Sequence, residues 1–221
     1  MLRVFLACHS RENGNPVHTG QESPAGVATP NLFGVEATKM SSKKIHFNTP
    51  GHAHELTFSC YRNRQSLCDE QTCLFLVDAV NMARKKHCLS IWAYVFMPDH
   101  VHLLLYPESE EYSVAGILLT IKQSVARRVL LDTRKNHPDR LKQFMTGLTS
   151  KKYRFWQDGG GYNRNITNRH TLLKVIDYIH ANPVRKGLVR SPEEWKWSSF
   201  GDWHNLRCGP IPIDRSHIPF S

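Results

Sequence analysis

Two kinds of hydrophobic spacing alternate along the chain from about residue 54 onward. Alternating or continuous apolar runs predict strands, and apolar residues three and four positions apart predict amphipathic helices. The order β-α-β-β-α-β-α predicts an α+β fold, in which an antiparallel sheet carries helices on one face and C-terminal helices follow. The predicted strands are 54–60, 89–97, 100–106 and 153–157, and the predicted helices are about 67–87, 113–131 and 168–181.

The two ends of the chain lack this periodicity. Residues 1–42 contain several Pro and Gly turn signals and no sustained period, which predicts a disordered N-terminal extension. A start at Met40 is the alternative, because the periodic part begins shortly after it. We expect one domain over residues 43–203 and a C-terminal tail over residues 204–221, with Pro183 closing the last long helix.

Charge is distributed as unevenly as hydrophobicity. The 221 residues include 29 Lys and Arg against 19 Asp and Glu, a formal net charge of +10. Residues 1–42 sum to zero, so the whole excess lies in the predicted domain and its tail. Such an excess indicates a polyanionic partner, most simply nucleic acid. No run approaches the ~18 apolar residues of a membrane span, which excludes an integral membrane protein.

Cysteine usage indicates a compartment rather than a chemistry. The six cysteines form no Cys-x-x-Cys pair, so a structural zinc site has little support. The chain is too long to need disulfides and begins with no convincing secretory signal. We therefore expect reduced cysteines and a cytoplasmic protein.

The most informative residues lie on the strand 100–106. His100 and His102 are two positions apart and therefore point to one face, where two imidazoles can bind one metal ion. The apolar residues between and after them face the core and hold the strand rigid. A second pair, His52 and His54, follows a Pro-Gly turn without such an apolar run, so we assign the metal to the first pair.

Several blocks resemble the single-tyrosine HUH transposases, which contain a His-hydrophobe-His motif. The run MPDHVHLLL carries that motif, and further blocks resemble the REP-associated branch of these small insertion-sequence enzymes. The resemblance covers about residues 45–203 in order. The further blocks are PGHAHELTFSCYRN (50–63), IKQSVARRV (121–129), FWQDGGGYNRNI (155–166), YIHANPVRKGL (178–188) and EEWKWSSF (193–200).

This resemblance implies a ferredoxin-like HUH core and a particular reaction. These enzymes cleave single-stranded DNA by attack of a tyrosine hydroxyl on a phosphodiester, giving a 5′-phosphotyrosyl link and a free 3′-hydroxyl. A phenol with a pKa of about 10 is a poor nucleophile at neutral pH, and a divalent metal such as Mg²⁺ or Mn²⁺ on the phosphate offsets this. The motif assigns the nucleophile to Tyr162, in a loop after three glycines. We interpret Tyr178 as a core residue of the last long helix.

The remaining site residues follow from the resemblance and from charge. A third metal ligand is often a polar side chain shortly after the tyrosine, which favours Asn165 or Asn163, with Gln157 as a further candidate. Basic residues around the predicted helix and the tyrosine loop are expected to bind DNA phosphates. These residues are Lys122, Arg127, Arg128, Lys152, Arg154 and Arg164.

The leading hypothesis is a metal-dependent single-stranded DNA endonuclease and strand transferase acting near a DNA hairpin. One alternative is a catalytically inactive DNA-binding protein derived from such a transposase. A metal-dependent hydrolase of small substrates would leave the positive charge unexplained. Both a monomer and a homodimer are compatible with the sequence.

Overall fold

A computed structural model describes residues 48–149, 152–215 and 218, so the predicted N-terminal extension lies outside the described residues. The described part contains four strands and four α-helices. They are β1 (Ala53–Ser59), α1 (Glu70–His87), β2 (Leu89–Phe96), β3 (His100–Pro107), α2 (Val114–Asn136), β4 (Tyr162–Ile166), α3 (Arg169–Arg185) and α4 (Phe200–Trp203). Short 3₁₀ helices lie at Tyr61–Asn63, Ser66–Cys68, Pro138–Phe144 and Pro192–Glu194.

The four strands form one antiparallel sheet in the order β2-β3-β1-β4. Two β-α-β units are interleaved in this order, which is the ferredoxin-like topology. The structure thus confirms the predicted α+β fold with an antiparallel sheet. None of the described helices is long and apolar enough to cross a membrane.

The two faces of the sheet are covered by different helices. Leu56, Phe58 and Leu103 pack with α1 and α2 on one face. Ala53 and Leu104 belong to a second apolar cluster that includes the buried residues of α3 on the other face. The predicted helices α1 and α2 thus share a face, and α3 covers the opposite one.

Side-chain caps begin the three long helices. The carboxylate of Asp69 accepts a hydrogen bond from the backbone N–H of Thr72 at 2.8 Å at the start of α1. Ser113 and Asn168 cap α2 and α3 in the same way. Each cap satisfies one of the backbone donors that a helix N-terminus leaves unpaired.

The last long helix does not end at Pro183, as the sequence predicts, but continues to Arg185. The proline removes only one backbone donor, close to the end of the helix. The turn that follows is kept by hydrogen bonds from the N–H of Lys186 to the carbonyl of Asn182 and from the N–H of Gly187 to the carbonyl of Val184.

The fourth strand lies after the three glycines, whereas the sequence predicts it before them. Tyr153 and Trp156 make only isolated bridges, and the ladder with β1 begins at Tyr162. Gly161 makes this possible, because it has a φ of +73° and a Cβ there would overlap the carbonyl oxygen of Thr57. The glycines therefore lead into a strand, and Tyr162 is not a loop residue.

Residues beyond the predicted domain boundary at 203 also contribute to the fold. Ile211 is fully buried, and its N–H donates to the hydroxyl of Tyr94 at 3.0 Å. The carboxylate of Asp214 accepts from the N–H of Ile91 at 2.8 Å and pairs with Arg84. The described part of this C-terminal segment is therefore packed against β2 and α1.

Candidate HUH site

The two histidines of the His-hydrophobe-His motif converge on one point of the sheet surface. Both lie on β3 and point to the face that α3 covers, while Val101 between them points into the core beneath α1 and α2. The Nε2 atoms of His100 and His102 are 3.1 Å apart. His102 is 5% exposed, so one side of the pair is enclosed by protein.

The outer nitrogen of each histidine has a fixed partner. The carboxylate of Asp99 accepts a hydrogen bond from Nδ1 of His100 at 2.6 Å, and the hydroxyl of Thr57 contacts Nδ1 of His102 at 2.9 Å. The bond to Asp99 requires the proton of His100 to be on Nδ1, which leaves the lone pair of Nε2 pointing at His102. The hydrogen bond from His100 also lowers the pKa of Asp99.

These two imidazoles fit a divalent cation. A metal–imidazole bond is about 2.1 Å long, so Nε2 atoms 3.1 Å apart can bind the same ion. Burial, together with the neighbouring His100, lowers the pKa of His102 to about 4, so this ring is neutral at pH 7. The described residues contain no group of three or more His, Cys, Asp or Glu side chains arranged for a metal.

The second histidine pair lies on the opposite face and is used differently. The rings of His54 and Tyr112 are linked by a 2.7 Å hydrogen bond at Nε2, and Nδ1 of His54 contacts the amide of Asn163 at 3.1 Å. His52 contacts the side chain of Asn165 at 3.0 Å. This cluster joins β1, β4 and the start of α2.

Tyr162, the nucleophile assigned by the motif, is the first residue of β4. In the sheet register, Tyr162 of β4 lies opposite Thr57 of β1, and Thr57 lies opposite His102 of β3 on the other side of β1. The side chain of Tyr162 therefore points to the same face as the histidines and is 47% exposed. The whole width of β1 separates it from the pair.

Tyr178 is the tyrosine that contacts the pair directly. Its ring centroid lies 5.6 Å from that of His102, in an edge-to-face arrangement. The side chain is 40% exposed, which differs from the predicted core position. The guanidinium of Arg185 lies 5.0 Å from the Tyr178 ring centroid.

A row of polar residues on α3 begins at Tyr178. Asn182 is one turn further along the helix, is 4% exposed and donates its amide N–H to the carbonyl of Tyr178 at 2.9 Å. Lys186 is one turn beyond, and its charge is close enough to Asp99 to lower the pKa of that carboxylate. The row begins beside His102 and ends near Asp99, the partner of His100, and Asn182 lies between these two ends along the chain.

The structure does not bring Asn165 or Asn163 to this pair. Both alternate with Tyr162 along β4 and therefore point to the face of the sheet that carries His54. Gln157, the further candidate ligand, accepts from the N–H of Arg62 at 3.3 Å. Asn182, for which the sequence predicts no role, lies on α3 four residues after Tyr178, which contacts the pair.

Four of the six cations predicted to bind DNA form hydrogen bonds or ion pairs within the described part of the protein, and the ammonium of Lys152 lies 5.4 Å from the ring centroid of Tyr153. The ammonium of Lys122 donates to the carbonyls of Gln157 and Gly159 and thereby supports the glycine segment. Arg127 and Lys152 are exposed. The three ion pairs are Arg128 with Asp78, Arg154 with Asp158 and Arg164 with Glu55.

A ferredoxin-like sheet that presents a His-hydrophobe-His pair beside tyrosines defines a protein of the HUH class. The family model described as "Transposase IS200 like" matches residues 52–182, more than half of the chain. The chain therefore belongs to the IS200-like transposase family, which confirms the resemblance seen in the sequence motifs.

Two bacterial relatives are similar to this chain in sequence, and a solved structure is similar to it in fold. The chain is 27% identical over 138 residues to a candidate REP-associated tyrosine transposase of Haemophilus influenzae, covering 59% of this chain and 74% of the relative. It is 25% identical over 157 residues to the REP-associated tyrosine transposase of Escherichia coli K12, covering 69% and 78%. A solved REP-associated tyrosine transposase bound to a REP hairpin has a TM-score of 0.56 at 20% identity, covering 80% of this chain and 95% of the other.

Proposed function

We propose that this protein is a metal-dependent endonuclease and strand transferase for single-stranded DNA at hairpins. The observation that carries the proposal is one cluster on the sheet, in which the ring of Tyr178 contacts His102 and Nε2 of His102 lies 3.1 Å from Nε2 of His100. The cluster combines a nucleophile with a site for a cation, the two parts that phosphodiester transfer to tyrosine requires.

The geometry favours Tyr178 over Tyr162 as the nucleophile. A hydroxyl that attacks a metal-bound phosphate must lie within a few ångströms of the metal ligands. Tyr178 contacts His102, whereas Tyr162 lies on the far side of β1. Half-exposure of the Tyr178 ring also leaves space for a DNA strand beside it.

His100 and His102 would hold the metal, and the amide oxygen of Asn182 is the third protein ligand in this proposal. The amide nitrogen of Asn182 is bonded to the carbonyl of Tyr178, which leaves its oxygen as the ligand atom. An amide oxygen suits Mg²⁺ or Mn²⁺, both of which favour oxygen ligands. Such a cation would withdraw electron density from the scissile phosphate and stabilise the charge of the transition state.

The proposed step exchanges one phosphodiester for another. The hydroxyl oxygen of Tyr178 forms a bond to phosphorus and loses its proton, and the bond from phosphorus to the 3′ oxygen breaks. That oxygen takes up a proton and becomes a free 3′-hydroxyl, while the 5′ side stays linked to the tyrosine. Because the number of ester bonds is unchanged, the strand can later be rejoined without ATP.

The DNA partner follows from charge and from the relatives. The net charge of +10 favours a polyanion, and the solved relative is bound to a REP hairpin. A hairpin with unpaired flanks would offer a folded element for recognition and a single strand for cleavage.

The test is formation of a covalent adduct with a labelled hairpin that carries single-stranded flanks, in Mg²⁺ or Mn²⁺. We expect the wild type to form a denaturant-resistant adduct, Tyr178→Phe to form none, and Tyr162→Phe to retain it. Both variants remove one hydroxyl from a half-exposed tyrosine on the same face of the sheet, so each is the matched control of the other.

The reverse result, an adduct with Tyr178→Phe and none with Tyr162→Phe, would assign the nucleophile to the tyrosine of the sequence motif. DNA binding by the wild type without an adduct in either metal would contradict the enzymatic proposal and favour a catalytically inactive DNA-binding protein.

A further inference from the structure

A group of arginines surrounds an aromatic ring where β1 ends. The guanidinium carbons of Arg62 and Arg154 each lie 5.2 Å from the ring centroid of Tyr61. The N–H of Tyr61 donates to the carbonyl of Phe155 at 2.7 Å, which holds the two chain segments together. We call Tyr61, Arg62, Arg64 and Arg154 the Tyr61 patch.

The backbone of this patch is strained. Arg62 and Asn63 are consecutive residues in the left-handed region, with φ of 56° and 51°. Side chains with a Cβ rarely adopt this conformation, and glycine adopts it readily. A long cationic side chain at such a position suggests that its charge serves a purpose other than stability.

The positive charge of the patch is only partly balanced. Among the residues that the structure describes, no carboxylate pairs with Arg62 or Arg64, whereas Arg154 pairs with Asp158 at 2.5 Å. The Nε atoms of Arg64 and Arg154 are buried without a hydrogen-bond partner in that part of the chain. Arg62 is exposed, so its charge is the part of the patch that an anion can reach.

The patch is joined to the histidine site through the backbone. Ser59 at the end of β1 is paired with His100, and the next residue, Cys60, donates its N–H to the carbonyl of Asp99 at 2.7 Å. Asp99 holds His100. A strand of DNA leaving the histidine site in this direction would meet the Tyr61 patch first.

We propose that the Tyr61 patch binds the unpaired nucleotides next to the cleaved phosphate. Arginine donors suit backbone phosphates, and the exposed guanidinium of Arg62, which lies over the Tyr61 ring, offers a planar surface for a base that is not paired. A base inside a duplex cannot stack on a side chain in this way, so the ligand is single-stranded DNA rather than the hairpin stem. This inference rests on the proposed function, because it places the patch on the path of the same strand.

The test measures binding by fluorescence anisotropy with EDTA present, so that neither metal nor cleavage is involved. One probe is a hairpin with flanks of about six unpaired nucleotides, within the length that single-strand sites commonly cover, and the other is the same hairpin without flanks. We expect Arg62→Gly to weaken binding of the flanked hairpin about tenfold at low salt and to lower its salt slope by about 0.7, the value of one phosphate contact. Binding of the hairpin without flanks should not change.

Three further variants separate charge from strain and from folding. Asn63→Gly relieves the backbone without removing charge, and Arg134→Gln removes one exposed charge at the far end of α2. Neither should change the affinity for the flanked hairpin more than about twofold. Arg154→Gln should weaken binding of the flanked hairpin as Arg62→Gly does. Arg62→Gly should also melt at a higher temperature than the wild type, because glycine removes the strain.

The inference is overturned if Arg62→Gly and Arg154→Gln both bind the flanked hairpin as the wild type does. It is also overturned if both weaken the two hairpins equally, because the patch would then recognise the stem. Failure of the proposed function would give a different result. The wild type would then bind the flanked hairpin more tightly than the hairpin without flanks, but it would form no covalent adduct when metal is present.

Discussion

The sheet carries two His-x-His pairs on opposite faces, and they have different surroundings. In the pair His100 and His102, the outer nitrogens have partners and the inner nitrogens face each other at 3.1 Å. In the other pair, both ring nitrogens of His54 are engaged, with Tyr112 and Asn163. The first pair leaves ligand atoms available, and the second uses them to hold elements together.

The difference shows what the spacing alone establishes. Two histidines two residues apart on a strand always share a face. Whether they can bind a metal depends on which nitrogen each partner occupies, and the partner of His102, Thr57, comes from a different strand. For His100 the partner is an adjacent carboxylate, which fixes the proton on the outer nitrogen.

Substitution of His102 should have the largest effect and should distinguish the two histidine pairs. His102→Ala should lower adduct formation about 10³-fold or more, because the metal loses one of its two imidazoles and with it most of the stabilisation of the transition state. Titration calorimetry with Mn²⁺ should show the loss of binding independently of activity. Unchanged Mn²⁺ affinity in this variant would contradict the assignment of the metal site.

His54→Ala is the matched control on the opposite face. It should leave Mn²⁺ affinity unchanged and lower the free energy of unfolding by about 2 kcal/mol, because Tyr112 and Asn163 lose a buried partner. Urea denaturation measures this difference. Loss of Mn²⁺ binding in a folded His54→Ala variant would mean that the two faces are not independent.

Much of the sheet could be predicted because the sequence patterns that indicate its strands are local. The apolar runs before and after Pro98 predict β2 and β3, and the alternation within β3 predicts that His100 and His102 share a face. The fourth strand could not be found in this way. It is an edge strand with the polar sequence YNRNI, and it forms because Gly161 lets the chain approach Thr57 closely.

The role of Tyr178 depends on how α3 is rotated against the sheet. Its neighbour Ile179 belongs to the buried stripe with Leu172 and Val175, which supported the interpretation of Tyr178 as a core residue. A signal was present, because Tyr178 and Asn182 are four residues apart and thus form a polar row on one side of that stripe. The sequence could not show that this row begins in contact with His102.

The edge strand β4 contributes Tyr162 to one face of the sheet and Asn163 and Asn165 to the other. Gly161→Ala should lower the free energy of unfolding by about 3 kcal/mol, because a Cβ there would overlap the carbonyl of Thr57 at a positive φ. Gly159→Ala is the control, since Gly159 also has a positive φ of 81° but has open space around it. It should cost about 1 kcal/mol. Equal costs in urea denaturation would show that the close approach to Thr57 does not determine the register.

His180, a buried histidine outside the proposed site, serves as a reference for the two pairs. Burial, with His204 nearby, lowers its pKa to about 3, and its Nε2 lies 2.9 Å from the hydroxyl of Ser199. Above pH 6.5 the ring is neutral in both the folded and the unfolded states and contributes no pH dependence. As the pH falls below 6.5, the unfolded state binds a proton that the folded state does not bind, so stability is lost.

This loss should reach about 2 kcal/mol at pH 5, at about 1.4 kcal/mol per pH unit. The variant His180→Gln keeps a hydrogen-bonding side chain but has no group that titrates. Between pH 7 and pH 5 the free energy of unfolding should therefore fall less for this variant than for the wild type. The difference between the two losses should be about 2 kcal/mol. The comparison of the two slopes isolates the titration of His180 together with its coupling to His204. Parallel slopes would show that His180 becomes protonated in the folded state, and that burial beside Ser199 does not exclude a proton from it.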